Sequence, residues 1–300
     1  MSFLKKTSVP IAALLLAMLL WSSSFVALKI AFTGYDPMVV IFGRMVVASL
    51  CFLCAGKRLV RSVMYQKGDY KLILFMAFCE PCLYFVFEAK AIENTTASQA
   101  GIITAILPIL VLISASIILK ESINRKTWTG GIVAMIGVCW LTLESTPSSH
   151  APNPILGNFY EFLAMVCAAG YTISLKRLTS RYSPFFLTAT QALIGTLFYL
   201  PLLLLPSTDL PTSYPIIPGL AIIYLGAVIT LCAYGLYNFG VQHIPASRAA
   251  MFVNLIPVFS VLLGWIILGE QLSQPQLMAA ALILGAVYLS QMKDRPKKPL

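Results

Sequence analysis

Residues 97–121 read ASQAGIITAILPILVLISASIILKE, and residues 246–270 read ASRAAMFVNLIPVFSVLLGWIILGE. Aligned without a gap, the two stretches share eight identical residues, including the opening Ala-Ser, a proline at the twelfth position and the closing glutamate. Each stretch holds an apolar run long enough to cross a bilayer as a helix. Because the proline and the glutamate recur in register, the pair indicates an internal repeat.

The composition of the whole chain places these helices in a membrane. Of the 300 residues, 59% are hydrophobic and 11% are charged, and the mean hydropathy is +0.85. A soluble domain has about a quarter of its residues charged. This chain cannot cover a water-facing surface, so it is expected to be an integral membrane protein.

Windows of about 19 residues predict ten transmembrane helices. The apolar runs cover roughly 9–32, 37–55, 71–90, 96–119, 128–144, 157–175, 184–205, 216–238, 246–268 and 275–292. The first run is longer than a signal peptide's apolar core and lacks a small-residue cleavage site after it, so we expect it to be retained. The predicted domains are 1–145, 155–292 and a basic cytoplasmic tail, 293–300.

The basic residues predict the orientation. With the N-terminus in the cytoplasm, 18 of the 21 Lys and Arg residues fall on the cytoplasmic side, whereas 145–154 and 206–215 contain neither residue. This asymmetry is the positive-inside pattern of a multi-pass protein in the cytoplasmic (inner) membrane, with both termini inside. The net charge of +10 is therefore a topology signal that anionic membrane lipid reinforces, and we expect no nucleic-acid partner.

The repeat extends beyond the two opening stretches. GGIVAMIGV (130–138) corresponds to AAALILGAV (279–287), and YFVFE (84–88) corresponds to YGLYN (234–238). Each repeat then contains five helices, and an odd number reverses the direction of the second copy. The predicted fold is an all-α membrane protein with ten helices in a 5+5 inverted-topology repeat, an architecture of many secondary transporters.

These features resemble the drug/metabolite transporter (DMT) superfamily, EamA type, over essentially the whole chain. The resemblance rests on WSSSFVALK (21–29), the lone Arg44 of helix 2, the A-S-x-A…P…L-x-E blocks of helices 4 and 9, and the glycine-rich helices 5 and 10. The family usually has Trp-Gly in helix 1, where this chain has Trp21-Ser22. The resemblance implies ten helices and export or exchange of small metabolites by alternating access, without specifying a substrate.

Helix 3 carries the clearest candidate site. Glu80, Tyr84 and Glu88 are spaced i, i+4, i+8 and so are expected on one helix face. The corresponding face of helix 8 carries Thr230, Tyr234 and Asn238. Ionisable residues inside a span are functional candidates by default because their burial is costly. We expect a substrate cavity between the two faces.

Two interpretations of the charged residues stay open. Glu80 and Arg44 come to similar depths and can form an ion pair, and Lys29 and Glu88 can form another. Alternatively, Glu80 contacts the substrate or carries a coupling proton. The two roles are compatible if the ion pair rearranges between inward and outward states.

The remaining candidates carry weaker signals. Four of them either line the cavity or pack, namely Trp21, Ser24, Gln99 and Tyr171, and Asn254 either bridges helices or touches substrate. Pro108 and Pro257 are predicted helix bends. Glu121 and Glu270 are predicted to end helices on opposite membrane faces, solvated or paired with Arg. The small residues of helices 5 and 10 permit close packing, including contacts of a homodimer.

No motif supports an enzyme, a cofactor or a metal. The sequence lacks a glycine-rich phosphate loop, H-E-x-x-H and a nucleophile elbow. The C-x-x-C pairs Cys51/Cys54 and Cys79/Cys82 lie in apolar runs that disfavour thiolates. We expect a secondary transporter, an exporter of small organic metabolites as a monomer or homodimer. The alternatives are a lipid or lipid-precursor translocator (flippase) of the same fold and a non-transporting scaffold or receptor.

Overall fold

The computed structural model describes residues 2–55, 66–119, 125–148, 151–244 and 246–291. Within these ranges the chain forms ten helices, in agreement with the ten predicted spans. They are α1 (Ser2–Phe32), α2 (Pro37–Ala55), α3 (Asp69–Asn94), α4 (97–119), α5 (Arg125–Leu143), α6 (Pro154–Leu178), α7 (Pro184–Leu202), α8 (Ile216–His243), α9 (246–268) and α10 (Gln274–Gln291).

Most of these helices are apolar enough to cross a bilayer. Six of them, α1 to α4, α7 and α8, contain helical spans of 18 to 28 residues that are long and apolar enough to cross a membrane. The helices α5, α9 and α10 contain shorter apolar stretches, Thr129–Leu143, Phe252–Leu268 and Gln274–Ala286. At 25 residues α6 is also long enough, but its first half carries two fully buried polar side chains, Asn158 and Glu161.

Local signals fix where several helices begin. Asn153 and Ser183 accept hydrogen bonds from the N–H groups of Leu156 and Phe186, and a proline follows each cap as the first residue of α6 and α7. Proline is favoured there because a first-turn N–H has no helical partner. The side chain of Thr96 caps α4 in the same way. These caps place each helix start within a few residues of its prediction.

The bundle has two ends, which we name by a residue in each. At the Thr95 end the backbone N–H of Asn153 donates to Asn94 (3.2 Å), and the hydroxyl of Tyr35 donates to the carbonyl of Pro215 (3.5 Å). At the Ser180 end Arg181 pairs with Asp69 at 2.8 Å. The loops that contain no Lys or Arg therefore lie at the Thr95 end.

The two repeats pack against each other through equivalent helices. The first half of α4 contacts the second half of α9, and the reciprocal pair is also in contact. In the same way α5 packs along α10, and Gly137 lies so close to Ile283 that an added Cβ would come within 2.7 Å of it. The small residues of α5 and α10 thus serve close packing inside one chain.

Irregular turns occur at equivalent places in the repeats. The helix α3 is interrupted at Phe78–Leu83, where Glu80 is extended (φ −151°, ψ 114°), and α8 widens into π-helical turns at Leu225–Ala233. Both α4 and α9 tighten into a 3₁₀ turn, at Thr104–Ile106 and Phe252–Leu255, just before Pro108 and Pro257. Proline removes one helical hydrogen bond, which explains why the regular pattern changes beside it.

Side chains of α7 satisfy the backbone that the interruption of α3 exposes. Gln191 donates to the carbonyl of Glu80 (2.6 Å), and Tyr199 donates to the carbonyls of Pro81 (2.9 Å) and Cys82 (2.6 Å). In an apolar interior, non-helical backbone is tolerated only where other groups hydrogen-bond it. The helix α7 therefore holds Glu80 in place.

Replacing Tyr199 with phenylalanine should destabilise the protein by about 1–2 kcal/mol, because a buried carbonyl would lose its donor. Thermal unfolding of the purified protein measures the effect. Tyr214→Phe provides the matched control, since Tyr214 is 78% exposed. Equal unfolding temperatures for the two variants would show that the Tyr199 hydroxyl does not support the interruption.

Candidate functional site

A central cavity lies between the repeats, lined by residues of α1, α2, α3, α4, α6, α8 and α9. Residues that the repeat makes equivalent face each other across it. Thr104 and Leu107 of α4 lie opposite Val253 and Ile256 of α9, each pair separated by 149 positions in sequence. The cavity therefore lies where the two repeats meet, beside the irregular turns of α3, α4, α8 and α9.

Glu80 forms one polar wall of the cavity. Its carboxylate accepts a hydrogen bond from the hydroxyl of Tyr234 on α8, and both side chains are buried. A smaller cavity is lined by the same two residues and reaches Thr188 and Gln191 of α7. Glu80 thus lines both cavities and is linked to the opposite repeat.

Arg44 forms the other polar wall, and here one predicted pairing is wrong. Its guanidinium pairs with Glu88 at 3.4 Å rather than with Glu80, and it also lies 3.9 Å from the ring centre of Phe85. The reason is the interruption of α3: Glu80 is extended and turns away from the helical face that Glu88 keeps. Glu88 is therefore the partner of Arg44, and Lys29 lines a separate pocket with Glu93.

Further hydrogen bonds hold this ion pair in position. Tyr84 donates to Glu88 (3.1 Å), and the Nε of Arg44 donates to Thr230 (3.2 Å). A buried ion pair is stable only when additional hydrogen bonds satisfy the charged groups, as they do here. The i, i+4 spacing of Tyr84 and Glu88 gives the contact that the sequence predicts, because the helix is regular from Tyr84 onward.

The two polar walls follow the symmetry of the repeat. Both α2 and α7 begin with a proline, Pro37 and Pro184, and Arg44 and Gln191 each lie seven residues after it. Arg44 reaches Thr230 in the second repeat, while Gln191 reaches the carbonyl of Glu80 in the first. Each repeat therefore binds the interrupted helix of the other, but only the first repeat supplies charges.

Aromatic rings complete the cavity. Trp21 packs on Tyr234 and Tyr237 with ring centres 5.0 and 4.7 Å apart, and Tyr171 lies 6.3 Å from Tyr234. The indole N–H of Trp21 is buried and has no hydrogen-bond partner among the described residues. Such a wall offers apolar area and ring faces together with one free donor.

The structure brings most of the predicted cavity residues together. Those that line the cavity are Trp21, Ser24, Arg44, Glu80, Tyr84, Glu88, Tyr171 and Tyr234. Two of the others lie outside this lining. Asn238 is fully buried behind the wall, where it accepts from Tyr171 and donates to Thr188. Asn254 lies half-buried on α9, with a buried side-chain oxygen that has no partner among the described residues.

Gln99 was predicted to line the cavity or to pack, and it belongs to a polar network at the Thr95 end. Its side-chain oxygen accepts from Thr95 (3.1 Å), Ser145 (2.7 Å) and Asn158 (3.1 Å). The network joins the loop before α4 to the end of α5 and the start of α6. It closes the bundle beyond the cavity.

Sequence reasoning missed several residues that the structure places at or near the cavity. Thr172 and Tyr237 line it, at one and three positions beyond the recognised Tyr171 and Tyr234. Sequence reasoning also missed the buried Glu161, although it is the one acidic residue of α6. The search for ionisable residues inside spans would have found it.

The sequence predicts that Glu270 is solvated or paired with an arginine. Among the described residues, this prediction is wrong. Glu270 is 8% exposed, and its carboxylate accepts from the N–H groups of Ala97 and Ser98 (2.9 Å each) and from the hydroxyl of Ser98 (2.6 Å). The end of α9 therefore caps the first turn of α4, where the helix dipole favours an anion. Glu121 lies outside the described residues.

Comparisons with known proteins agree with this architecture. The sequence profile of the EamA-like transporter family matches residues 8–143 and 155–292. The uncharacterized transporter YetK of Bacillus subtilis is 26% identical and aligns over 91% of this chain and 88% of its own. A probable terminal-alkyne amino-acid exporter of Streptantibioticus cattleyicolor is 24% identical over 95% of this chain and 94% of its own.

A solved crystal structure shares the fold. Its TM-score is 0.68 at 18% identity, and the match covers 96% of both chains. The profile matches each half of the chain once, as the repeat in the sequence requires. The chain therefore belongs to the EamA-like transporter family of the DMT superfamily, and it is a multi-pass membrane transporter rather than an enzyme.

Proposed function

We propose that the protein is a secondary active transporter that exports small organic metabolites across the cytoplasmic membrane by alternating access. The central cavity between the repeats carries the proposal, because it combines buried charges with a mainly apolar lining. The Thr95 end, whose loops 145–154 and 206–215 lack Lys and Arg, faces outside, and both termini are cytoplasmic.

The groups on the cavity wall suit amino acids and related amphipathic compounds. Glu80 offers an anion to an ammonium group, and the aromatic rings offer their faces to the same cation. The unpaired N–H of Trp21 offers a donor to a carboxylate. The exporter from Streptantibioticus cattleyicolor is named for a terminal-alkyne amino acid, which supports the same substrate class.

A transport assay with the purified protein in liposomes tests the proposal. Liposomes loaded with an unlabelled neutral amino acid should take up the labelled compound by exchange, and empty liposomes of the same lipid serve as the control. The lipid-translocator alternative uses the same preparation with a fluorescent phospholipid. If only the phospholipid moves, the metabolite assignment is overturned.

Glu80→Gln should uncouple transport from protons, while exchange continues with a higher KM because the anion for the ammonium group is lost. The glutamine keeps the contact with Tyr234 but cannot take up and release a proton. In liposomes with an acidic lumen, wild-type protein should accumulate substrate as protons leave, whereas the variant should only equilibrate it. Glu144→Gln, at an exposed position beyond α5, is the control. Accumulation by Glu80→Gln that matches the wild type would remove Glu80 from the coupling role.

A further inference from the structure

Glu161 differs from the other buried carboxylates of the bundle. Its side chain is 0% exposed, and neither carboxylate oxygen has a hydrogen-bond partner among the described residues. By contrast, Glu80 binds Tyr234, and Glu88 binds Arg44. A buried polar group without a partner calls for a physical explanation.

The position of Glu161 relates it to the cavity. On α6 it follows Asn158 by three residues and precedes Met165 by four, so the three side chains share one helix face. Met165 lines the central cavity, and Asn158 belongs to the polar network at the Thr95 end. Glu161 thus lies between the cavity and the polar network at the Thr95 end.

The charges around Glu161 oppose its ionisation. The titratable groups on the part of α3 that packs along α6 include Glu88 and Tyr84, and Arg44 of α2 is already bound to Glu88. Of the other helices packed on α6, residues 97–119 of α4 have no charged residue and α8 brings tyrosines, and no ion pair of Glu161 is found among the described residues. An ionised carboxylate in this place would be desolvated, unpaired and close to a second anion.

We propose that Glu161 is a second proton-binding site, on the path between the Thr95 end and the substrate cavity, and that this end closes only when Glu161 is protonated. When the end opens, water reaches the carboxyl group of Glu161. The O–H proton can then pass to bulk water. When the end closes, only the neutral form fits. The coupling role rests on the proposed function, whereas the bound proton does not.

Thermal unfolding as a function of pH detects the bound proton without any substrate. The folded state keeps a proton that an exposed glutamate releases at neutral pH, so wild-type stability should fall relative to Glu161→Gln as the pH rises. We expect similar unfolding temperatures at about pH 4.5, the range in which an exposed glutamate titrates, and an advantage of the variant that grows from there toward pH 9. Glu144→Gln, at an exposed position, is the control. Parallel curves at all pH values, or a wild-type gain produced by sodium instead of protons, would overturn the proposal.

Exchange in liposomes tests the role of this proton in closure. Between pH 7 and pH 9, wild-type exchange should decline by up to about tenfold per pH unit, and Glu161→Gln should decline less, because its end closes without a proton. If no metabolite is transported but the stability difference appears, the proposed function fails and the proton site stands. If transport is proton-coupled and Glu161→Gln behaves as wild type in both assays, this inference alone fails.

Discussion

Replacing Arg44 with methionine should destabilise the protein by about 3–5 kcal/mol, because Glu88 would remain buried without its cation. Arg44 is 1% exposed, so water cannot replace the lost contact without opening the bundle. The same change removes the group over the ring of Phe85 and the donor to Thr230. We expect a strong fall in unfolding temperature and in the yield of monodisperse protein.

A second substitution separates the loss of charge balance from the loss of packing. In Arg44→Met combined with Glu88→Gln, no buried charge is left without a partner, and glutamine can still accept from Tyr84. The double variant should therefore recover most of the stability, while Glu88→Gln alone should be unstable because arginine stays charged. If the two single effects simply add, Arg44 and Glu88 do not stabilise each other.

Much of the fold can be predicted from the sequence, because membrane helices and repeats leave strong signals. The matched stretches 97–121 and 246–270 identify α4 and α9, and Pro184 marks the start of α7. The apolar runs predict these helices because each span must satisfy its own backbone hydrogen bonds inside the bilayer.

The charged contacts could be predicted only in part. The spacing of Tyr84 and Glu88 gives a real hydrogen bond, but the assumption of a regular helix fails at Glu80, four residues earlier. Pro81 follows Glu80 and signals a bend without giving its direction. The position of the Glu80 carboxylate depends on α7, whose Gln191 and Tyr199 are distant in sequence.

Glu270 has a role that a sequence pattern cannot reveal on its own, because its partners are backbone groups of another repeat. Its carboxylate receives three hydrogen bonds from Ala97 and Ser98, at the end of the bundle that we propose faces outside. These bonds join α9 to α4, the two equivalent helices that enclose the cavity. In the alternating-access mechanism that we propose, these bonds should stabilise the state in which the Thr95 end is closed.

Glu270→Gln should shift the protein toward the state that is open at the Thr95 end. Losing the charged acceptor removes about 2 kcal/mol from the closed state, which corresponds to a change of about 30-fold in the ratio of states. A cysteine at Ala168, on the cavity wall of an otherwise cysteine-free chain, reports the change through its labelling rate with an impermeant thiol reagent. The reagent is added outside intact cells, and Glu144→Gln serves as the control because Glu144 is exposed beyond the end of α5.

The repeat gives this experiment its sharpest control. Glu121 occupies the position in 97–121 that Glu270 occupies in 246–270, so the sequence predicts that Glu121→Gln acts at the opposite membrane face. Labelling of the same cysteine should then increase in inside-out vesicles and not in intact cells. Because the two variants carry the same Glu→Gln substitution, a general loss of stability would raise labelling from both sides in both of them. Opposite, one-sided increases would mean that the two glutamates hold alternate ends closed, and unchanged labelling in Glu270→Gln would refute that role for the α9–α4 contact.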